Sequence, residues 1–162
     1  MPSRKKTLHS LPFDDILLLG IATTLPDYKL AWHLNNCLPI DLIKHEDIYP
    51  AQHSLQEGFS FFLYDQGENR NVFNLVSLHS NGSRWIKLPV NTDYLFIIRN
   101  ALDQERLDQI IRAIRNIPQI VHAFVVDTQK TRGIDILLET IEFHEMEILK
   151  SHHKRLPKNK TL

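Results

Sequence analysis

The sequence predicts an α+β domain built on a mostly antiparallel sheet, and three observations carry that expectation. Two stretches, Phe13 to Ile48 and Asp93 to Asp127, each read as strand, helix, strand. Between them, Glu57 to Leu88 is cut into short apolar runs by polar loops and an Asn81-Gly82 pair, the pattern of an antiparallel meander. After them, Gly133 to His153 carries apolar residues at helical spacing.

The stretch that organises the chain is Leu17 to Leu38. Phe13 to Thr23 reads as a strand, and its Ile16-Leu17-Leu18-Leu19 core is apolar without alternation. A strand of that kind is covered on both faces and lies inside a sheet. Gly20 allows a close backbone approach or a bulge. Thr24-Leu25-Pro26-Asp27 reads as a helix start, with Thr24 as cap and Pro26 in the first turn. Tyr28, Ala31, Leu34 and Leu38 then fall on one face, expected to point inward, with Leu30 and Cys37 beside them. Asn35-Asn36 and Pro39 end the helix, and Ile40 to Ile48 reads as the second strand.

In the meander, Phe59, Phe61 and Leu63 alternate with Ser60, Phe62 and Tyr64, Val72 to His79 returns, and Ser83 to Leu88 is expected to pair back as a third strand. Asn81-Gly82 suits a tight turn whose two central residues both need positive φ. Asp93 to Arg99 is a strand. Leu107, Ile110, Ile111, Ile114 and Ile117 form a helical stripe over Asp103 to Asn116, Pro118 stops it, and Ile120 to Asp127 is the returning strand. In the terminal helix, Ile134, Leu137, Leu138, Ile141, Ile148 and Leu149 make the stripe, interrupted at His144 or Glu145, with a strand over Thr140 to Ile148 as the alternative.

Right-handed crossovers and a buried first strand together suggest a ferredoxin-like core. In it the Phe13 strand lies between the Asp93 and Ile120 strands, two helices share one face, and the meander extends one edge. Such a sheet leaves its second face open, yet Ile16 to Leu19 is apolar on both. The terminal helix, or failing that a second subunit, is expected to cover it.

The domain is expected to span residues 12–153, between a disordered basic tail at 1–11 and a basic C-terminal tail at 154–162. The formal charge of zero conceals this asymmetry. All 19 carboxylates lie between Asp14 and Glu147 against 11 Lys or Arg, a net of −8, while the ends hold eight cations. Basic ends on an acidic body suit solubilising tails, or contact with RNA or an acidic partner. Cys37 is the single cysteine, which excludes an intrachain disulfide and fits a reducing compartment. No apolar run approaches the ~20 residues of a membrane span, and a signal peptide is not expected, so a cytoplasmic location is.

The motifs exclude more than they suggest. There is no Gly-rich phosphate loop, no GxSxG and no CxxC. His144-Glu145 with His152-His153 is the densest histidine group but is not HExxH, and reads as a solvated helix face rather than a metal site. No catalytic residue, metal or cofactor is expected. The meander aromatics Phe59, Phe61, Phe62, Tyr64, Phe73 and Trp85, near Arg70, Arg84 and Lys87, offer bases to stack on, though alternation requires half of them for the core.

The order Gly20-Ile21, then Leu25-Pro26-Asp27-Tyr28-Lys29-Leu30-Ala31-Trp32-His33-Leu34-Asn35, followed by Asp93-Tyr94, Ile117-Pro118 and Ala123-Phe124, resembles the bacterial family named for the signature IPExxxVDY. At the signature itself, Ile86 and Asp93-Tyr94 match, Lys87-Leu88 stand in place of Pro-Glu, and Thr92 replaces Val. The resemblance covers about residues 13–130 and implies a small cytoplasmic bacterial protein of unassigned function.

The functional expectation is a non-enzymatic interaction or scaffold module that binds a protein partner or a second copy of itself through the first and terminal helices. The candidate contact residues are Asp27, Lys29, Trp32, Asn35, Asn36, Asp93 and Tyr94. The alternative is an RNA- or ribosome-associated protein using its basic ends.

Overall fold

The computed structural model describes residues 15–51, 57–67, 71–88, 90–100 and 103–155. The N-terminal basic tail and residues 156–162 lie outside the described residues. The described elements run β1 (Ile16–Thr23), α1 (Asp27–Cys37), β2 (Ile43–Ile48), β3 (Phe59–Asp65), β4 (Val72–Ser77), β5 (His79–Ser80), β6 (Ser83–Arg84), β7 (Tyr94–Arg99), α2 (Gln104–Arg115), β8 (Ile120–Val125) and α3 (Ile134–Arg155).

Six strands form one antiparallel sheet in the order β2-β3-β4-β7-β1-β8. β1 lies between β7 and β8, as its unbroken apolar run requires, with Leu18 opposite Ile97 and Gly20 opposite both Leu95 and Phe124. β7, α2 and β8 make a split unit with β1 inserted. β1 and β2 are separated by β7, β4 and β3, so β2 lies at the far edge and does not pair with β7 as a ferredoxin-like sheet would have it.

The two faces carry two cores. Leu19, Ile21, Phe62, Phe73, Leu75, Phe96 and Ile98 pack under α1 and α2, which contribute Leu30, Leu34, Ile110 and Ile114. Leu18, Phe59, Phe61, Val76, Leu95 and Ile97 face the other way and pack under α3, through Ile134, Leu137, Leu138 and Ile141. The second face is therefore covered within the chain. α3 is helical throughout, so the strand alternative over Thr140 to Ile148 does not hold. Among the described residues, no helix is long and apolar enough to cross a membrane.

At Gly20 the close approach is real. A Cβ built there would stand 2.6 Å from the tip of the Phe124 ring. The bulge is elsewhere on β1, where the register with β8 shifts between Ala22 and Thr23. Gly20→Ala is expected to destabilise the protein by about 1 kcal/mol through overpacking. Adding Phe124→Leu should recover part of that loss, and urea denaturation of the wild-type chain and the two variants checks it.

Three local expectations are corrected. Ser83 to Leu88 does not join the sheet: only Ser83–Arg84 pairs, with His79–Ser80, in a separate two-stranded ribbon. The next residues instead spend their apolar side chains on the core, with Trp85, Ile86 and Leu88 buried against the α3 face. The Asn81-Gly82 turn is as expected, with φ of 48° and 85°. β2 begins only at Ile43, because Ile40 and Leu42 are buried in the connection that precedes it.

The third correction concerns α1. Its N-cap is Pro26, with no side-chain cap, rather than Thr24. Pro26 takes an extended ψ of 163°, so helical geometry starts only at Asp27. The buried face is Leu30, Ala31 and Leu34, continued by Leu38, while Tyr28 points outward.

Candidate functional site

The outward rotation of α1 creates the most distinctive surface of the molecule. Tyr28 and Trp32, one helical turn apart, are 62% and 60% exposed. With Leu25, Lys29, His33 and Gln119 they line a groove of about 420 Å³. The Trp32 indole meets the His33 ring edge-on, with centroids 5.0 Å apart.

This groove stands on a rigid base, and most of the sequence-derived candidates supply that base. The turn between β1 and α1 is held from β7. The Asp93 carboxylate accepts the Thr23 N–H at 2.9 Å, and the Tyr94 hydroxyl donates to the Leu25 carbonyl at 2.8 Å. Thr23 also donates its hydroxyl to the Gln119 carbonyl at 2.8 Å, tying the turn to the start of β8. On the other flank, the Asn35 side chain donates to the Leu42 carbonyl and accepts the Leu42 N–H, at 3.2 and 2.7 Å. It acts there as a strand residue would, fixing the helix end to the chain entering β2. Asp27 pairs with Lys44 on β2 at 3.2 Å, an exposed contact that adds little stability.

Asp93 and Tyr94 are therefore positioning groups more than contact groups. Burial pushes the Tyr94 hydroxyl up to about 12, with the Asp27 and Asp93 charges adding to it, so it remains a donor at neutral pH. Asn36 is exposed and bonds back to the Trp32 carbonyl at 2.7 Å. Of the seven candidates, the structure places Lys29 and Trp32 on the groove itself; it adds Leu25, Tyr28, His33 and Gln119. Tyr28 was signalled in the sequence by its spacing of four from Trp32, a pair competing with the inward stripe.

Two other polar groupings stand out among the described residues. His79 Nε2 lies 3.2 Å from Asp93 Oδ1, but the Ser77 hydroxyl donates to the His79 carbonyl instead of meeting the ring. No serine-histidine-carboxylate relay forms among these three. His144 reaches from α3 to the Glu46 carbonyl at 2.8 Å and stacks edge-on against Phe61. It lines a cleft with Lys44, His45, Glu46, Glu147, Ile148 and Ser151. Among the described residues, no group of three or more His, Cys, Asp or Glu could hold a metal.

The aromatic platform offered for base stacking is not on the surface: Phe59, Phe61, Phe62, Phe73 and Trp85 are all buried. Antiparallel strands with helices on both sides use both faces for core, so five of the six are hidden and only Tyr64 remains half-buried.

The class this geometry defines is an α+β protein with a two-sided, helix-covered antiparallel sheet and an aromatic groove along its first helix. No protein-family model matches the chain, and neither does any curated protein or solved structure.

Proposed function

We propose that the protein is a binding module that holds an apolar segment of a partner protein in the α1 groove. One observation carries this reading. Tyr28 and Trp32 present two large aromatic faces to solvent on a helix fixed by β7, by the start of β8 and by the chain entering β2. Aromatic anchors of this kind dominate binding energies at interfaces, and a pre-ordered surface spares the cost of ordering it on association. Lys29 and His33 beside them favour a segment that carries an acidic residue next to its apolar one. The resemblance to the IPExxxVDY family supports a cytoplasmic bacterial setting for this role.

Trp32→Ala tests the proposal. The variant is expected to keep its thermal midpoint, because the Trp32 side chain is exposed and its one ring contact among the described residues is the edge-on one with His33, and such surface changes seldom shift stability by more than about 0.5 kcal/mol. Its affinity for the partner should fall by about 2 kcal/mol or more, roughly thirtyfold. Affinity purification with the wild-type chain, followed by calorimetric titration of the recovered protein against both chains, measures this. Equal affinity of wild type and Trp32→Ala would remove α1 as the binding surface.

A further inference from the structure

The outer face of α3 carries a second pattern that neither the fold nor the α1 groove uses. Ile136, Glu139, Phe143, Met146 and Lys150 follow one another at spacings of three, four, three and four. That is the seam rhythm of two helices packed along their length. The stripe lies opposite Leu137, Leu138 and Ile141, which are buried on the sheet. Ile136, Phe143 and Met146 are 57%, 63% and 53% exposed.

We propose that this stripe is a homodimer seam, in which α3 of two copies of the chain pair antiparallel. The order of charges along the helix selects that occupant. The stripe holds its acid, Glu139, early and its base, Lys150, late. A parallel pair would set Glu139 on Glu139 and Lys150 on Lys150. In an antiparallel pair with the two-fold axis between His144 and Glu145, Phe143 meets the partner's Met146 and Glu139 meets the partner's Lys150, each twice by symmetry. The flanks bring Thr140 toward the partner's Glu147 and Glu142 toward the partner's Leu149, so no like charges face each other.

The resulting seam has an apolar centre of aromatic and thioether side chains, closed at each end by an ion pair, the layout of an ordinary interface. A single pair of helices is small as interfaces go, so the dimer is expected to be weak and reversible. The surface is separate from α1, so the two associations are independent.

Sedimentation equilibrium of the full chain, from low to several hundred micromolar, tests this. The expected result is a reversible monomer–dimer equilibrium whose dissociation constant rises about tenfold or more in Phe143→Glu. Glu139→Lys and Lys150→Glu should each weaken the dimer, and the double swap should restore it. Trp32→Ala should leave it unchanged. Should Phe143→Glu fail to fold, Met146→Glu reads the same contact from its other side. A chain that stays monomeric throughout, or a dimer indifferent to these glutamates, overturns the proposal. Failure of the double swap to restore association overturns the antiparallel register.

Discussion

A chain ending at Arg132 is expected to lose its cooperative thermal transition altogether. α3 contributes Ile134, Leu137, Leu138 and Ile141 to the second core, all between 0% and 2% exposed. Each such side chain stabilises the fold by about 1.5–3 kcal/mol, so four together are worth roughly 6–12 kcal/mol. That is the size of a whole domain's stability, about 5–15 kcal/mol. The truncated chain would also bare Leu18, Phe61, Leu95 and Ile97, giving strong binding of a hydrophobic dye and aggregation. Circular dichroism melts and dye fluorescence of the truncated and intact chains check this. A truncated chain that melts cooperatively as a monomer would mean that α3 is only loosely docked. Loss of partner binding on such a truncation reports unfolding, and so says nothing of α3 as a contact surface.

The second large effect is expected at the polar contact that α3 makes with the sheet. Glu145 Oε2 accepts from Arg99 Nη2 and from Asn74 Nδ2, both at 2.7 Å, and Arg99 also donates to Asn74 Oδ1 at 3.1 Å. Arg99→Met should cost about 3 kcal/mol, because it leaves a buried carboxylate without its cation. Burial pushes the Glu145 carboxyl up from 4.5, against the pull of Arg99 and Asn74. The folded state therefore holds the Glu145 proton more tightly than the unfolded state. That contribution to stability is complete below pH 4.5 and is lost as pH rises through the folded value. In Arg99→Met the folded value rises further, so the loss deepens toward alkaline pH. Glu145→Gln carries no titrating group and should flatten the stability profile over this window. Urea midpoints at a series of pH values measure all three chains. An unchanged pH slope in Glu145→Gln would show that another group is responsible.

Legibility in the sequence follows the range of the interaction involved. The position of β1 was readable because four consecutive apolar residues suit a strand covered on both faces, and that same reading required a cover for the far face, either α3 or a second subunit. α2 declared itself by a single clean stripe. α1 did not, because 28, 31, 34, 38 and 30, 31, 34, 38 both satisfy helical spacing. Only the sheet beneath decides that Leu30 goes in and Tyr28 goes out. The Asn74–Glu145 contact spans 71 residues and the Arg99–Glu145 contact 46. The sequence therefore shows an interrupted stripe at Glu145 without showing what answers it. Ser83 to Leu88 misled for a similar reason: an apolar run after a tight turn looks like a strand whether it pairs or only packs.

The Arg115 side chain makes a shorter-range contact, placing Nε and Nη2 on the Ala123 carbonyl at 2.9 and 2.7 Å. β8 is an edge strand without charge or proline, and this guanidinium occupies a backbone group that a stray strand would otherwise use.

The central place of β1 also has a consequence in time. β1 is the first described element to be synthesised, yet its pairing partners β7 and β8 follow only after residues 93 and 119, and its cover, α3, comes last of all. Ile16 to Leu19 therefore stay without their strand partners until β7 has been made, and this early strand is expected to be among the last to be buried. Folding is expected to complete only once α3 has emerged, and nascent chains stalled before residue 134 should be bound by chaperones that hold exposed apolar strands.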